Sequence, residues 1–149
     1  VEDYLSSLDE PFLVLRMSKL YSTGEEDTSP IRGWLRAFAQ GEEAKCATDQ
    51  YLRPTWNADI PRVVDMLIER AHSGVYHLSS ARTYSRYEMA LAVASYFDFP
   101  GEMVVECSIG DFDFLEDRPR DNTLAADKVV AETGFAFAEL DDVLPRIER

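Results

Sequence analysis

Positive charge is scarce in this chain. Its 149 residues carry 15 lysines and arginines against 28 aspartates and glutamates, a formal net charge of −13. Such a surface repels phosphate backbones and excludes a general nucleic-acid binder. A diphosphate can still be held, but only by arginines gathered at one place. Cysteine is scarcer still: Cys46 and Cys107 stand far apart, at no metal-ligand spacing. They read as two reduced, buried thiols in a cytoplasmic protein. No apolar run approaches the roughly 20 residues of a membrane span. The N-terminus is acidic and broken by polar residues, unlike a signal peptide. Glycine is sparse, and Gly24, Gly33 and Gly41 are too scattered to form a nucleotide-binding loop. What is present is a hydrophobic fraction of 46%, enough for one domain with a sizeable core.

The patterning alternates strands with helices. Residues 2–9 read as the tail of a helix. The continuous apolar run Phe12–Leu15 predicts a strand covered on both faces. Residues 21–30 are polar, punctuated by Gly24 and Pro30, and read as a surface loop. Ile31, Trp34, Leu35 and Phe38 share one face of a helix over 31–40 that Gly41 ends. A short strand is expected at 44–47. Ile60, Val63, Val64, Leu67, Ile68 and Ala71 recur at helical spacing, with Asp59 as the cap and Pro61 in the first turn. Val75–Ser79 predicts a strand, and Ser85 with Glu88 forms a capping box for the next helix. Pro100-Gly101 stops that helix, and Met103–Cys107 predicts another strand. Residues 108–122 read as loop with one helical turn, 123–133 as a helix ending at Gly134, and 140–147 as a last helix interrupted by Pro145. The class is α/β.

Few residues carry chemistry singly. His72 at a helix end and His77 in a strand have no second ligand at a recognised spacing. Ser79-Ser80 lack a nucleophile-elbow pattern. The acidic run Glu25-Glu26-Asp27 reads as a solvated loop. The segment Asp117-Arg118-Pro119-Arg120-Asp121-Asn122 is more pointed: two arginines beside a stiff turn form a compact cationic site. Arg53-Pro54-Thr55 is a second one. The alternative is that neighbours such as Asp117 and Asp121 neutralise these arginines.

Two longer stretches resemble a known family. Residues 49–65 read DQYLRPTWNADIPRVVD, and residues 74–88 read GVYHLSSARTYSRYE. They resemble the substrate-binding half of the dTDP-4-dehydrorhamnose reductases, in the extended short-chain dehydrogenase superfamily. The family's Asp-Gln-x-x-x-Pro-Thr stands here as Asp49, Gln50, Pro54 and Thr55. Its Gly-x-Tyr-His-Leu matches Gly74, Tyr76, His77 and Leu78. Its late Arg-Pro-x-x-(Ser/Thr)-x-Leu matches Arg118, Pro119 and Leu124, with Asn122 at the hydroxyl position. Lys128 fits the lysine that follows, and Gly134-Phe135 the closing pair. Related epimerases and dehydratases share the Arg-Pro element.

The resemblance implies the C-terminal portion of an extended short-chain dehydrogenase, Rossmann-like fold: a few sheet strands plus a small mixed α/β substrate-binding lobe over 1–149. It implies a part of an NAD(P)-dependent reductase acting on a nucleotide-linked 4-keto sugar. An epimerase or dehydratase of nucleotide sugars, or a non-catalytic regulatory subunit derived from the family, are the alternatives. Arg16, Met17 and Ser18 would line the NADP or NAD; Met17 and Lys19 depart from the commonest reductase pattern. Lys19, Tyr21, Arg53, Thr55, Trp56, Arg118 and Asn122 would meet the substrate, with the Arg-Pro arginine on the diphosphate. The family's catalytic Tyr-x-x-x-Lys and its glycine-rich loop have no counterpart here, so no catalytic residue is assigned and the chain alone is expected to be inactive. A nucleotide sugar is the expected ligand, with neither nucleic acid nor membrane as partner. A homodimer, or pairing with the missing N-terminal dinucleotide-binding half, is the expected assembly.

Overall fold

The computed structural model describes residues 1–148. Helix α1 covers Glu2–Ser6 and buries no residue. Strand β1 (Leu13–Met17) is followed by the two-residue strand β2 (Leu20–Tyr21). Helix α2 spans Pro30–Ala39 and buries Ile31, Trp34, Leu35 and Phe38, the face read from the spacing. Gly41, at φ 76°, turns the chain beyond its end, a left-handed conformation that a Cβ disfavours. Strands β3 (Ala44–Ala47), β4 (Tyr51–Leu52) and β5 (Thr55–Trp56) lead to helix α3 (Asp59–Glu69). Strands β6 (Gly74–Leu78) and β7 (Tyr84–Ser85) precede helix α4 (Arg86–Tyr96). Strands β8 (Val104–Cys107) and β9 (Asp121–Asn122), helix α5 (Asp127–Thr133) and helix α6 (Leu140–Val143) complete the chain, and Pro145 lies in a tight helical turn after α6.

The strands form small parallel units: β1 with β6, β2 with β5, and β3 with β8. A fourth sheet places β4 between β7, antiparallel, and β9, parallel. The other edge of β1 is unpaired among the described residues. Parallel strands need crossovers and cover on both faces. The helices supply part of that cover through two apolar clusters. One joins α2, α4 and α6 around Ile31, Phe38, Met89, Val93 and Leu140. The other packs Val63 and Leu67 of α3, and Val129 of α5, on Tyr76 and Leu78 of β6. Each such fully buried aliphatic side chain contributes about 1.5–3 kcal/mol.

The capping box of α4 is present: Ser85 N donates to Glu88 Oε2 at 2.7 Å, and Glu88 N to Ser85 Oγ at 3.1 Å. The cap proposed for α3 is corrected. Ala58 is its N-cap, and Asp59 is the first helical residue. Only 1% exposed, Asp59 instead accepts from Ala138 N at 2.7 Å and pairs with Arg62 at 3.2 Å. It therefore pins the chain after α5 to the start of α3. The helix expected over 123–133 begins only at Asp127, because 121–122 extend to pair with β4. No helix among the described residues is long and apolar enough to cross a membrane.

Candidate functional site

The conspicuous pair Asp49-Gln50 works as a clamp. One Asp49 carboxylate oxygen accepts from Ile109 N at 2.7 Å. The other accepts from Ser108 Oγ and Arg120 Nη1, each at 2.8 Å. The Ile109 and Ser108 bonds, with Arg120 beside them, hold this carboxyl below the usual aspartate range. Gln50 O accepts from Arg86 N at 3.0 Å, and Tyr51 N donates to Arg120 O at 2.6 Å. Ser18 Oγ donates to Asn122 O at 2.7 Å. Residues 49–51 thus tie together the 108–122 segment and the first turn of α4, and Ser18 ties in the end of β1.

These ties enclose a recess of about 160 Å³ whose wall includes Lys19, Trp34, Tyr51, Arg86, Arg118 and Asn122. Its cations stand out. Arg16, Arg62, Arg82 and Arg120 each pair with a carboxylate. Lys19, Arg86 and Arg118 form no ion pair among the described residues. Neither Asp117 nor Asp121 neutralises Arg118; Asp121 is spent on Thr123, accepting from its N and Oγ1. The Arg118 guanidinium lies 4.1 Å above the centroid of Phe114, which itself stacks on Phe112 at 5.5 Å. Three cations without counterions, in a chain of charge −13, make an anion-attracting recess.

Other hollows gather fewer free cations: Lys19 also borders one of about 410 Å³ beside Glu26 and Asp27, and Arg118 one of about 400 Å³ beside Glu116, Asp117 and Arg120. One of about 500 Å³ lies against α2, but Arg32 there donates to Gly24 O at 3.0 Å and Thr23 O at 2.8 Å. Another, of about 430 Å³, contains Arg53 and Ser79. Arg53 is committed to Thr83 Oγ1 at 3.2 Å and Leu124 O at 3.1 Å. Among the described residues, no group of three or more His, Cys, Asp or Glu could hold a metal ion.

The structure therefore brings together Lys19, Arg118 and Asn122 of the residues singled out in the sequence. Arg53 faces a different hollow. Tyr21 is 1% exposed in the α2–α4 core with its hydroxyl enclosed, so it offers no face to a base or sugar. Thr55 is fully buried, donating to Leu78 O at 3.5 Å. Trp56 packs its ring under Arg146, 4.7 Å from the centroid. Arg16 is bound in a fork by Glu2, and of residues 16–18 only Met17 offers a free, exposed apolar side chain. Arg86 was missed: in sequence it is only the residue after a helix cap.

Fold and unpaired cations define an α/β domain with an anion-attracting recess. The sequence model of the RmlD substrate binding domain matches residues 1–147, and the chain belongs to that family. A dTDP-4-dehydrorhamnose reductase from Bacillus anthracis, solved in complex with NADP, is similar at 23% identity and TM-score 0.83, over 98% of this chain and 51% of that one. An ortholog from Clostridium acetobutylicum matches at 20% and 0.78, over 97% of this chain and 50% of its own. The Bordetella bronchiseptica enzyme WbmG, in complex with NAD, matches at 20% and 0.77, over 97% and 44%. The chain spans about half the length of these structures. No curated protein matches it.

Proposed function

We propose that this chain is the substrate-binding part of an NAD(P)-dependent reductase of a nucleotide-linked 4-keto sugar. The recess of Lys19, Arg86 and Arg118 carries the reading: it offers unpaired positive charge for a diphosphate, at the place where the Arg-Pro element stands. The family and the fold shared with NADP- and NAD-bound relatives support it.

The dinucleotide-binding half belongs outside these residues. The unpaired edge of β1 and the exposed Tyr4, Leu8 and Met17 support its docking there. Arg16 and Ser18 make internal hydrogen bonds, which leaves Met17 as the exposed side chain of residues 16–18 to line the cofactor. When bound, the cofactor supplies the hydride. This chain's own residues bind the nucleotide and orient the sugar toward the ends of β1 and β2. Two free thiols, Cys46 and Cys107, fit a cytoplasmic setting.

Calorimetric titration with dTDP tests the reading. Arg118→Ala is expected to weaken binding roughly 10- to 100-fold, the worth of a charged hydrogen bond. Equal affinity in wild type and variant would remove its support.

A further inference from the structure

We infer that Arg86 is a second diphosphate-binding arginine, facing Arg118 across the recess, with its guanidinium held open for an anion. The inference rests on the nucleotide reading above and adds to it a residue that the sequence pattern does not single out.

The argument starts from position. Arg86 is the first residue of α4, directly after the capping serine. Its backbone is fixed twice: the capping box holds the turn, and Arg86 N donates to Gln50 O at 3.0 Å. The side chain lines the same recess as Lys19 and Arg118. It is half-buried, yet its guanidinium meets no carboxylate and no carbonyl among the described residues; its nearest aromatic face, Trp34, is 6.0 Å away. An arginine of this burial ordinarily finds protein acceptors; the Arg86 nitrogens have none among the described residues and are not enclosed, so they open to the recess and its solvent, where an anion can reach them. Arg32 shows the ordinary outcome in this same chain, spending its donors on backbone carbonyls.

Electrostatics point the same way. Burial pushes the Arg86 guanidinium below the usual arginine range, and Arg118 presses in that direction too. Cys46 opposes the shift more strongly than Arg118 adds to it, and Cys107 opposes it less. The two arginines thus disfavour each other until an anion enters. A ligand with two linked phosphates brings more acceptor oxygens and more negative charge to the two guanidiniums than a monophosphate does. The recess should accordingly prefer nucleoside diphosphates to monophosphates.

Titration of the full protein that carries this chain with dTDP, dTMP and inorganic pyrophosphate tests this. Arg86→Ala and Arg86→Met, the second retaining an apolar stem, are each expected to weaken dTDP and pyrophosphate roughly 10- to 100-fold. Both should lose most of the preference for dTDP over dTMP. Their melting temperatures without ligand should equal or exceed the wild type, since an unpaired cation is removed. If Arg118→Ala loses dTDP while both Arg86 variants bind as wild type, the inference fails and the nucleotide reading stands. If wild type and Arg118→Ala are alike in binding dTDP, both fail. If Arg86→Ala melts several degrees lower and Arg86→Met restores both stability and affinity, Arg86 is only packing, and the inference is overturned.

Discussion

Phe114→Ala isolates the contribution of a platform from that of a charge. The Arg118 guanidinium sits 4.1 Å from the Phe114 centroid, well inside the range of cation–π attraction. Phe114 is in turn stacked on Phe112, with 21° between the rings. Arg118 is exposed, so the attraction is worth only about 0.5–1 kcal/mol. If that energy serves to hold the guanidinium where the phosphate meets it, its loss weakens dTDP binding about 2- to 5-fold. Calorimetry at fixed ionic strength reads this directly. Phe114→Trp should match or exceed the wild type, because indole is the best cation–π partner. In an Arg118→Ala background, Phe114→Ala should change nothing further. A loss of the same size with and without Arg118 would refute the coupling and make the stack a ligand contact in its own right.

Other expectations follow from the same geometry. Asp59→Ala removes a buried carboxylate that holds Ala138 N, and should cost about 1–3 kcal/mol in denaturant unfolding; an unchanged midpoint would contradict its role as a tie. Gly74→Ala forces a side chain onto φ 110°, with Lys128 Nζ 3.6 Å from the new Cβ, and should lower the melting temperature by several degrees. Asp49 has a depressed pKa, so its stabilisation is complete above the unfolded value of about 3.9 and disappears as pH falls through the folded one. Asp49→Asn should therefore flatten the acid limb of the stability–pH curve; identical limbs would argue against the clamp.

Much of the fold was legible because long elements carry strong periodicity. The buried face of α2 and the capping box of α4 follow from spacing alone. The two-residue strands β2, β4, β5, β7 and β9 were not legible, since a ladder of two residues has no period to detect. They are nonetheless what assembles the recess: β9 against β4 positions Asn122 and, with the Asp49 clamp, the Arg118 segment. Asp59 looked like a helix cap because capping depends on backbone conformation at one residue, and the true N-cap, Ala58, makes no side-chain cap bond. At the site, Arg118 was legible through its Pro119 neighbour. Its freedom from Asp117 and Asp121 was not, because short-range sequence proximity says nothing about which way carboxylates turn. Tyr21 and Thr55 look like ligand contacts in the string but lie in the interior. Arg86 became visible only when the Gln50 backbone brought the start of α4 to the recess.

The most direct measurement is the position of a bound diphosphate. A crystal structure of the protein with dTDP should place its phosphates within hydrogen-bond distance of Arg118 and Arg86, with Lys19 Nζ at the rim. Phosphates held instead in the Arg53–Ser79 hollow, with the Lys19–Arg118 recess unchanged, would contradict the account.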